Sequence, residues 1–116
     1  MDLKALQKKV IDFRDERDWK QYHNPKDLAL SINIEAGELA EIFQWKTNNE
    51  IKEALKNPNK LQELEHELAD IIIYCLDMAE ETGIDLEQAI IEKIEHNSKK
   101  YPVHKAKGSA KKYTEL

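Results

Sequence analysis

The amino-acid sequence predicts an all-α protein, and three observations support that prediction. Apolar residues recur at intervals of three and four positions over most of the chain, which is the period of an amphipathic helix. Residue pairs typical of helix starts, such as Asn24 followed by Pro25, stand in front of these stretches. No segment shows an alternation of apolar and polar residues that would favour a β-strand instead. We therefore expect an antiparallel helical bundle of four to five helices.

Two helices are predicted in the first part of the chain. The first starts behind Asp2 and ends near the segment RDERDW at residues 14–19, and its outer face is charged. The second has Asn24 as its N-cap and Pro25 at its first position, and it runs to about Gln44. The inward stripe of the first helix consists of Leu3, Leu6, Val10 and Phe13.

Three further helices are predicted from pairs of residues that resemble helix caps. The pairs are Thr47 with Glu50 before a short helix, Asn57 with Pro58 before a long helix that ends at Gly83, and Asp85 with Gln88 before the last long helix.

The long helix predicts that a second subunit completes the fold. Between residues 68 and 79, apolar side chains point in nearly every direction around its axis, and only Asp70 and Asp77 interrupt them. Such a helix should be buried on all sides, which 116 residues can hardly achieve alone. We expect one domain over residues 1–116, with a helical bundle at 1–98 and an extended, mobile basic tail at 99–116.

Composition excludes several classes of protein. The chain has 23 acidic and 18 basic residues, so it lacks the positive field that binding to duplex DNA requires. The single cysteine, Cys75, lies in an apolar run and is typical of a buried thiol in a reducing compartment. The longest apolar run, at 71–76, is too short to span a bilayer, and no signal segment precedes it. We expect a cytoplasmic protein that does not enter a membrane.

Two pairs of carboxylates stand inside core-forming stretches. Glu35 and Glu38 are three residues apart, and Glu67 and Asp70 repeat this spacing, which places each pair on one helix face. Four carboxylates meeting in a bundle would repel one another and lose hydration, and a bound cation would remove that cost. Oxygen ligands favour Mg²⁺ or Mn²⁺, with phosphate oxygens of a substrate as further ligands. From the pattern alone, surface ion pairs with nearby lysines remain an alternative.

Other metal and phosphate sites find less support in the sequence. Glu63 and His66 form one Glu-x-x-His motif, but a di-iron site in a helical bundle requires two. No two histidines have the spacing of zinc ligands, and no glycine-rich phosphate loop is present. Phosphates would therefore be held by metal and side chains.

Four segments resemble the MazG-like all-α nucleoside triphosphate pyrophosphohydrolases, in particular their small single-domain dCTP pyrophosphatase branch. They are RDWKQYHNP at 17–25, GELAEIFQWK at 37–46, ELADIIIYCLDMA at 67–79 and NSKKYPVHKAKGSAKKYTEL at 97–116. The resemblance covers almost the whole chain. It implies hydrolysis of a nucleoside triphosphate to the monophosphate and pyrophosphate by a homodimer or a homotetramer built as a dimer of dimers.

The resemblance also implies roles for particular residues. Mg²⁺, or Mn²⁺ as a substitute, would be bound by Glu35, Glu38, Glu67 and Asp70, and either Glu38 or Glu35 would orient the attacking water. The nucleobase pocket would contain Trp19, Trp45 and Tyr74 with His23 close by, while Lys93, Asn97, Lys100 and Tyr101 would lie near the triphosphate. Glu41 is expected to be an exposed helix acid. Val10 stands where vertebrate members carry a histidine near the base, which leaves the preference for cytosine open.

These inferences favour a pyrophosphohydrolase that removes dCTP or a modified pyrimidine deoxynucleotide from the nucleotide pool. A related enzyme acting on dUTP or on another purine or noncanonical nucleotide is the second possibility. The non-enzymatic alternative is a helical interaction module whose acids bind a basic partner peptide.

Overall fold

The computed structural model describes all 116 residues as helices and connecting turns, and it confirms the all-α prediction. The α-helices are α1 (Leu3–Glu16), α2 (Pro25–Phe43), α3 (Asn48–Ala54), α4 (Pro58–Thr82), α5 (Leu86–Lys100) and α6 (Val103–Ala106). Two short 3₁₀ helices, η1 (Lys20–Tyr22) and η2 (Tyr113–Glu115), follow α1 and α6. The prediction of four to five helices missed α6, a single turn.

The helices begin where the cap residues predict. The Asn24 side chain accepts a hydrogen bond of 2.9 Å from the Asp27 backbone N–H, and Pro25 occupies the first turn of α2. Thr47 and Glu50 form both halves of the capping box at the start of α3. The Asn57 side chain caps α4 by accepting a hydrogen bond of 2.9 Å from the Asn59 backbone N–H. Local sequence therefore determines these three helix starts.

The predicted capping box at the start of α5 is only half present. The Asp85 carboxylate accepts a hydrogen bond of 3.1 Å from the Gln88 backbone N–H. The side-chain amide of Gln88, however, donates to Glu92 Oε1 at 3.2 Å and does not return to the cap. The competing partner one helical turn ahead explains why the second half is missing.

Residues Met1–Gly83 form one compact unit, in which α4 packs mainly against α2 and also against α1. The fully buried apolar side chains are Leu28 of α2 and Leu76 of α4. Two charged side chains, Arg14 and Asp77, are buried as deeply as the apolar core. Gly83 ends α4 with a φ of 71°, a left-handed conformation that glycine adopts without strain.

The single chain leaves part of the apolar surface of α4 exposed, as expected of 116 residues without a second subunit. Leu68, Ile72 and Ile73 are 47%, 50% and 38% exposed. The helices that pack against α4 within this unit, α1 and α2, cover only part of its circumference. The chain thus presents an apolar stripe along its longest helix.

Residues Ile84–Leu116 form the second unit. The prediction of an extended tail is wrong here, because α6 and η2 both lie within it. The Tyr113 ring packs edge-on against Tyr101 with 6.1 Å between the centroids, and Lys100 Nζ lies 4.7 Å from the Tyr113 ring centroid. These aromatic and cation–π contacts give the segment a defined conformation. No helix of the chain combines the length and the apolar character needed to cross a membrane.

Candidate metal and nucleotide-binding site

Three carboxylates from two helices meet in the first unit, and we call them the acid cluster. Glu35 and Glu38 of α2 and Glu67 of α4 each present one carboxylate oxygen, and these three oxygens lie within 4.8 Å of one another. The packing of α2 against α4 brings them together, and the spacing of three residues keeps the first two on one face. One buried oxygen of Glu35 and one of Glu67 have no hydrogen-bond partner. An all-oxygen donor set with unpartnered buried atoms fits a hard divalent cation.

The acid cluster has the electrostatics of a site that lacks a positive charge. Burial, followed by hydrogen bonding to Glu67 and Glu38 and by their negative charges, raises the pKa of Glu35 from 4.5 to about 7. Glu35 therefore keeps its proton to a higher pH than an ordinary carboxyl group does when no cation is bound. A divalent cation among the three carboxylates would reverse this effect and favour the ionised form.

Asp70, the fourth predicted ligand, lies outside the acid cluster. It is an exposed residue one turn beyond Glu67 on α4, and it lines a cavity of about 460 Å³ together with Glu35. This volume is typical of sites for small organic ligands. The cavity therefore adjoins the acid cluster through Glu35.

Aromatic side chains form one wall of the cavity. The rings of Phe13 and Trp19 make an edge-to-face contact with 5.8 Å between centroids and 73° between planes. Trp19 follows the end of α1, where Asp18 adopts a left-handed φ of 54° and the Trp19 backbone N–H donates to the Arg14 carbonyl at 3.1 Å. This tight turn directs the chain back beside α1. Half-exposed rings beside a cavity suit stacking on a planar ligand.

Tyr74 lies on the cavity wall one turn beyond Asp70 on α4. Burial raises the pKa of the Tyr74 hydroxyl, and the negative charges of Glu35, Asp70 and Asp77 raise it further. Tyr74 thus remains a neutral phenol that can donate a hydrogen bond to an anionic ligand.

Three charged or polar residues form another part of the cavity lining, and we call them the polar wall: the buried Arg14 of α1, the partly buried His23 after η1, and the buried Asp77 of α4. The Arg14 guanidinium donates to Asp15 Oδ1 through Nε at 2.9 Å and through Nη2 at 2.8 Å. His23 Nδ1 and Asp77 Oδ1 are 3.8 Å apart, beyond hydrogen-bond distance. Burial raises the pKa of Asp77, while the charges of His23 and Arg14 oppose that shift.

Sequence reasoning missed Arg14 and Asp77 as site residues. An acid within an apolar helical run was a usable signal for Asp77, but its partners come from other elements. Arg14 stands in a segment rich in charge and gave no signal of its own. Phe13 was predicted as core, yet it is 49% exposed at the cavity.

The other predicted nucleobase and triphosphate residues lie elsewhere in the chain. Trp45 is 92% exposed, has a left-handed φ of 67°, and does not line the cavity with Trp19, His23 and Tyr74. In the second unit, Lys93 and Asn97 are exposed on α5, Lys100 is half-buried, and Tyr101 contacts Tyr113.

Glu41 is exposed, as predicted, and Val10 is a buried residue of the cavity lining. His66 is exposed and is not part of the acid cluster, while Glu63 pairs with Lys60 at 3.3 Å. The single Glu-x-x-His motif therefore belongs to the surface of α4.

The fold and the site together define an all-α protein with a carboxylate cluster for a hard cation beside a partly aromatic cavity. Residues 30–116 match the MazG-like family, and the chain belongs to that family. This finding confirms the resemblance predicted from the sequence.

Curated relatives and a solved structure extend this comparison. The chain is 42% identical over 114 residues to dCTP pyrophosphatase 1 of Mus musculus, an alignment that covers 98% of this chain and 67% of that protein. It is 40% identical to dCTP pyrophosphatase 1 of Homo sapiens over the same shares of the two chains. The crystal structure of a pyrophosphatase from Archaeoglobus fulgidus matches with a TM-score of 0.79 and 42% identity, covering 86% of this chain and 92% of that one.

Proposed function

We propose that this protein is a nucleoside triphosphate pyrophosphohydrolase that converts dCTP, or a modified pyrimidine deoxynucleotide, to the monophosphate and pyrophosphate. The observation that supports this most directly is the acid cluster, which contains two unpartnered buried oxygens and adjoins, through Glu35, a cavity of about 460 Å³. The relatives named dCTP pyrophosphatase 1 support the reaction and the base. Such an enzyme would remove unwanted nucleotides from the cellular pool.

The acid cluster would bind Mg²⁺, with Mn²⁺ as a possible substitute, and Asp70 would complete the ligand set. The cation would supply positive charge that fixes the triphosphate and polarises the α-phosphate. Glu38 or Glu35 would accept a hydrogen bond from the attacking water and orient it toward phosphorus. Trp19 would stack on the base, and Tyr74 would donate a hydrogen bond to the bound nucleotide.

A second copy of the chain would complete the protein as a homodimer or as a homotetramer. The apolar stripe of α4 supports this proposal, because a monomer that exposes Leu68, Ile72 and Ile73 leaves much apolar area in water. Trp45, almost fully exposed, would then reach the nucleobase pocket of a neighbouring subunit. Residues 1–116 would act as one domain, in which Lys93, Asn97, Lys100 and Tyr101 approach the triphosphate.

Incubation with Mg²⁺ and a panel of nucleoside triphosphates tests the proposal. The expected result is release of pyrophosphate and a monophosphate, with dCTP or a modified pyrimidine deoxynucleotide as the best substrate. Release of orthophosphate, or no turnover of any triphosphate, would reject it. Because Val10 places an apolar side chain on the cavity wall, the panel should include dUTP and purine nucleotides.

Calorimetric titration separates the enzyme from an acidic interaction module. The enzyme should bind Mg²⁺ together with a nonhydrolysable triphosphate in a saturable manner. A module whose acids bind a basic peptide should show no such binding.

A further inference from the structure

The polar wall has unused hydrogen-bonding capacity on three different elements. Arg14, His23 and Asp77 have side chains that are 5%, 13% and 4% exposed. Each has one buried polar atom without a partner: Arg14 Nη1, His23 Nδ1 and Asp77 Oδ1. Buried polar atoms are almost always hydrogen-bonded in proteins, so three in one cavity lining require an explanation.

A closed structural ion network does not explain this arrangement. His23 Nδ1 and Asp77 Oδ1 are 3.8 Å apart, and the two bonds of the Arg14 guanidinium go to the exposed Asp15. A buried ion network stabilises the fold only when hydrogen bonds satisfy all of its polar atoms, and these three residues each keep one polar atom unpaired. All three residues line the same cavity, so a ligand in that cavity could satisfy them.

The position of Asp77 on α4 relates the polar wall to the acid cluster. Asp70, Tyr74 and Asp77 follow one another at intervals of four and three residues and line the cavity from one helix face. A rise of about 1.5 Å per residue separates Asp70 from Asp77 by roughly 10 Å along the helix axis. A nucleotide could therefore place its phosphates near Asp70 and its base near Asp77.

We propose that the polar wall reads the hydrogen-bonding edge of the nucleobase and selects cytosine through Asp77 and Arg14. This inference rests on the proposed function. The Asp77 carboxylate accepts a hydrogen bond from the exocyclic amino group of cytosine, and the Arg14 guanidinium donates to the adjacent ring nitrogen and carbonyl oxygen. Uracil carries a carbonyl oxygen in place of the amino group. That oxygen would face the Asp77 carboxylate, and the two acceptors would repel each other. His23, whose Nδ1 lies 3.8 Å from Asp77 Oδ1, helps to hold the Asp77 carboxylate in position for the base.

The first test uses the wild-type protein and changes only the base. The substrates are dCTP and the triphosphate of the matching 4-unsubstituted pyrimidin-2-one deoxynucleoside, which lacks the amino group but keeps the ring nitrogen and the carbonyl. With Mg²⁺ present and pyrophosphate release as the readout, kcat/KM should be at least about tenfold lower for the analogue. Equal kcat/KM values for the two substrates would overturn the inference, and so would a preference for dUTP over dCTP.

The second test removes the proposed acceptor. Asp77→Ala should bring the ratio of kcat/KM for dCTP to that for the analogue close to one, and Asp77→Asn, which keeps one oxygen acceptor, should give an intermediate ratio. Glu81→Ala is the matched control, because Glu81 is an exposed acid on the same helix. Its ratio should equal that of the wild type.

The outcomes distinguish base recognition from structural support. If Asp77→Ala lowers kcat/KM for both substrates equally and leaves the ratio intact, Asp77 has only a structural role and the inference is wrong. Circular dichroism reports whether each variant folds. If Asp77→Ala does not fold, the comparison of kcat/KM for dCTP and the analogue in the wild-type protein decides the question. If the wild type turns over no triphosphate at all, the proposed function itself fails, which is a different result from turnover without base selection.

Discussion

The acid cluster and the polar wall both contain buried polar atoms that have no hydrogen-bond partner, but the two groups differ in charge. The acid cluster contains carboxylates only, and burial with mutual repulsion raises the pKa of Glu35 to about 7. In the polar wall, the charges of His23 and Arg14 oppose the effect of burial on the pKa of Asp77. The first group lacks positive charge, whereas the second contains both donors and an acceptor. A cation fits the first group and a polar, uncharged ring fits the second.

This difference predicts that variants of the two groups have separable effects on the reaction. Loss of a carboxylate from the acid cluster should slow the hydrolysis of every triphosphate alike, because all of them present the same phosphates to the cation. Loss of a polar-wall group should change the choice among bases.

The largest effect is expected from Glu38→Gln and from Asp70→Asn. Mutation of a residue that only hydrogen-bonds to a metal ligand already lowers metal affinity or activity by about 10–100-fold. Removal of a ligand charge should therefore lower kcat for all triphosphates by about a hundredfold or more, which steady-state assays of pyrophosphate release measure. Glu41→Gln, an exposed acid on the same helix as Glu38, is the control and should retain wild-type kcat. Wild-type rates in both ligand variants would exclude these residues from the mechanism.

Trp19→Ala should have the next largest effect, and it should act on affinity. Stacking of a base on an aromatic ring is worth about 1–3 kcal/mol, or roughly 5–150-fold, and depends little on which base is stacked. We expect KM to rise by such a factor for all bases, with a smaller change in kcat. Tyr22→Ala is the control, because Tyr22 is an exposed aromatic residue nearby that does not line the cavity. A change in base preference in Trp19→Ala would show that stacking and base selection are not separate.

Sequence reasoning located the acid cluster more completely than the polar wall, for a physical reason. A spacing of three residues on a helix is local, so Glu35 and Glu38 could be placed on one face without knowledge of the fold. Helix starts at Asn24 and Asn57 were likewise predictable, because a cap bonds its own first turn. The packing of α2 against α4 then brought Glu67 to the other two acids.

The features that escaped prediction depend on contacts between distant residues. Arg14 and Asp77 belong to helices that are far apart in the sequence, and neither residue signals the other locally. The tail was expected to be extended because lysine-rich segments are usually solvated, yet Tyr113 packs on Tyr101. The exposed stripe of α4 shows the converse case. An apolar pattern indicates which residues avoid water, but it does not indicate which surface covers them.

Metal binding should stabilise the folded protein only while the acid cluster is intact. A ligand at 100 times its Kd adds about 2.7 kcal/mol to the free energy of unfolding. Saturating Mg²⁺ should therefore raise the Tm of the wild type and of Asp77→Ala, measured by differential scanning calorimetry, but not that of Glu67→Gln. A Tm increase of the wild-type size in Glu67→Gln would show that Mg²⁺ binds elsewhere on the chain.

The smallest effect concerns the metal-free protein and its dependence on pH. The pKa of Glu35 is raised from 4.5 in the unfolded chain to about 7 in the folded one, so the folded state holds this proton more tightly between those values. The Glu35 contribution to stability is therefore greatest below about pH 4.5, falls as the pH rises toward 7, and stays low above it. Glu35→Gln removes this loss, because the amide does not ionise. With a chelator present, the Tm of Glu35→Gln should exceed that of the wild type at pH 8 by on the order of a few degrees.

The difference in Tm between Glu35→Gln and the wild type isolates this residue, since the other carboxyl groups are common to both proteins. That difference should shrink as the pH falls from 8 to 4.5, whereas Glu41→Gln, an exposed acid on the same helix, should show almost no difference at any pH. A constant difference for Glu35→Gln across this range would mean that ionisation of Glu35 does not destabilise the metal-free fold. The acid cluster would then be no more deficient in positive charge than the polar wall.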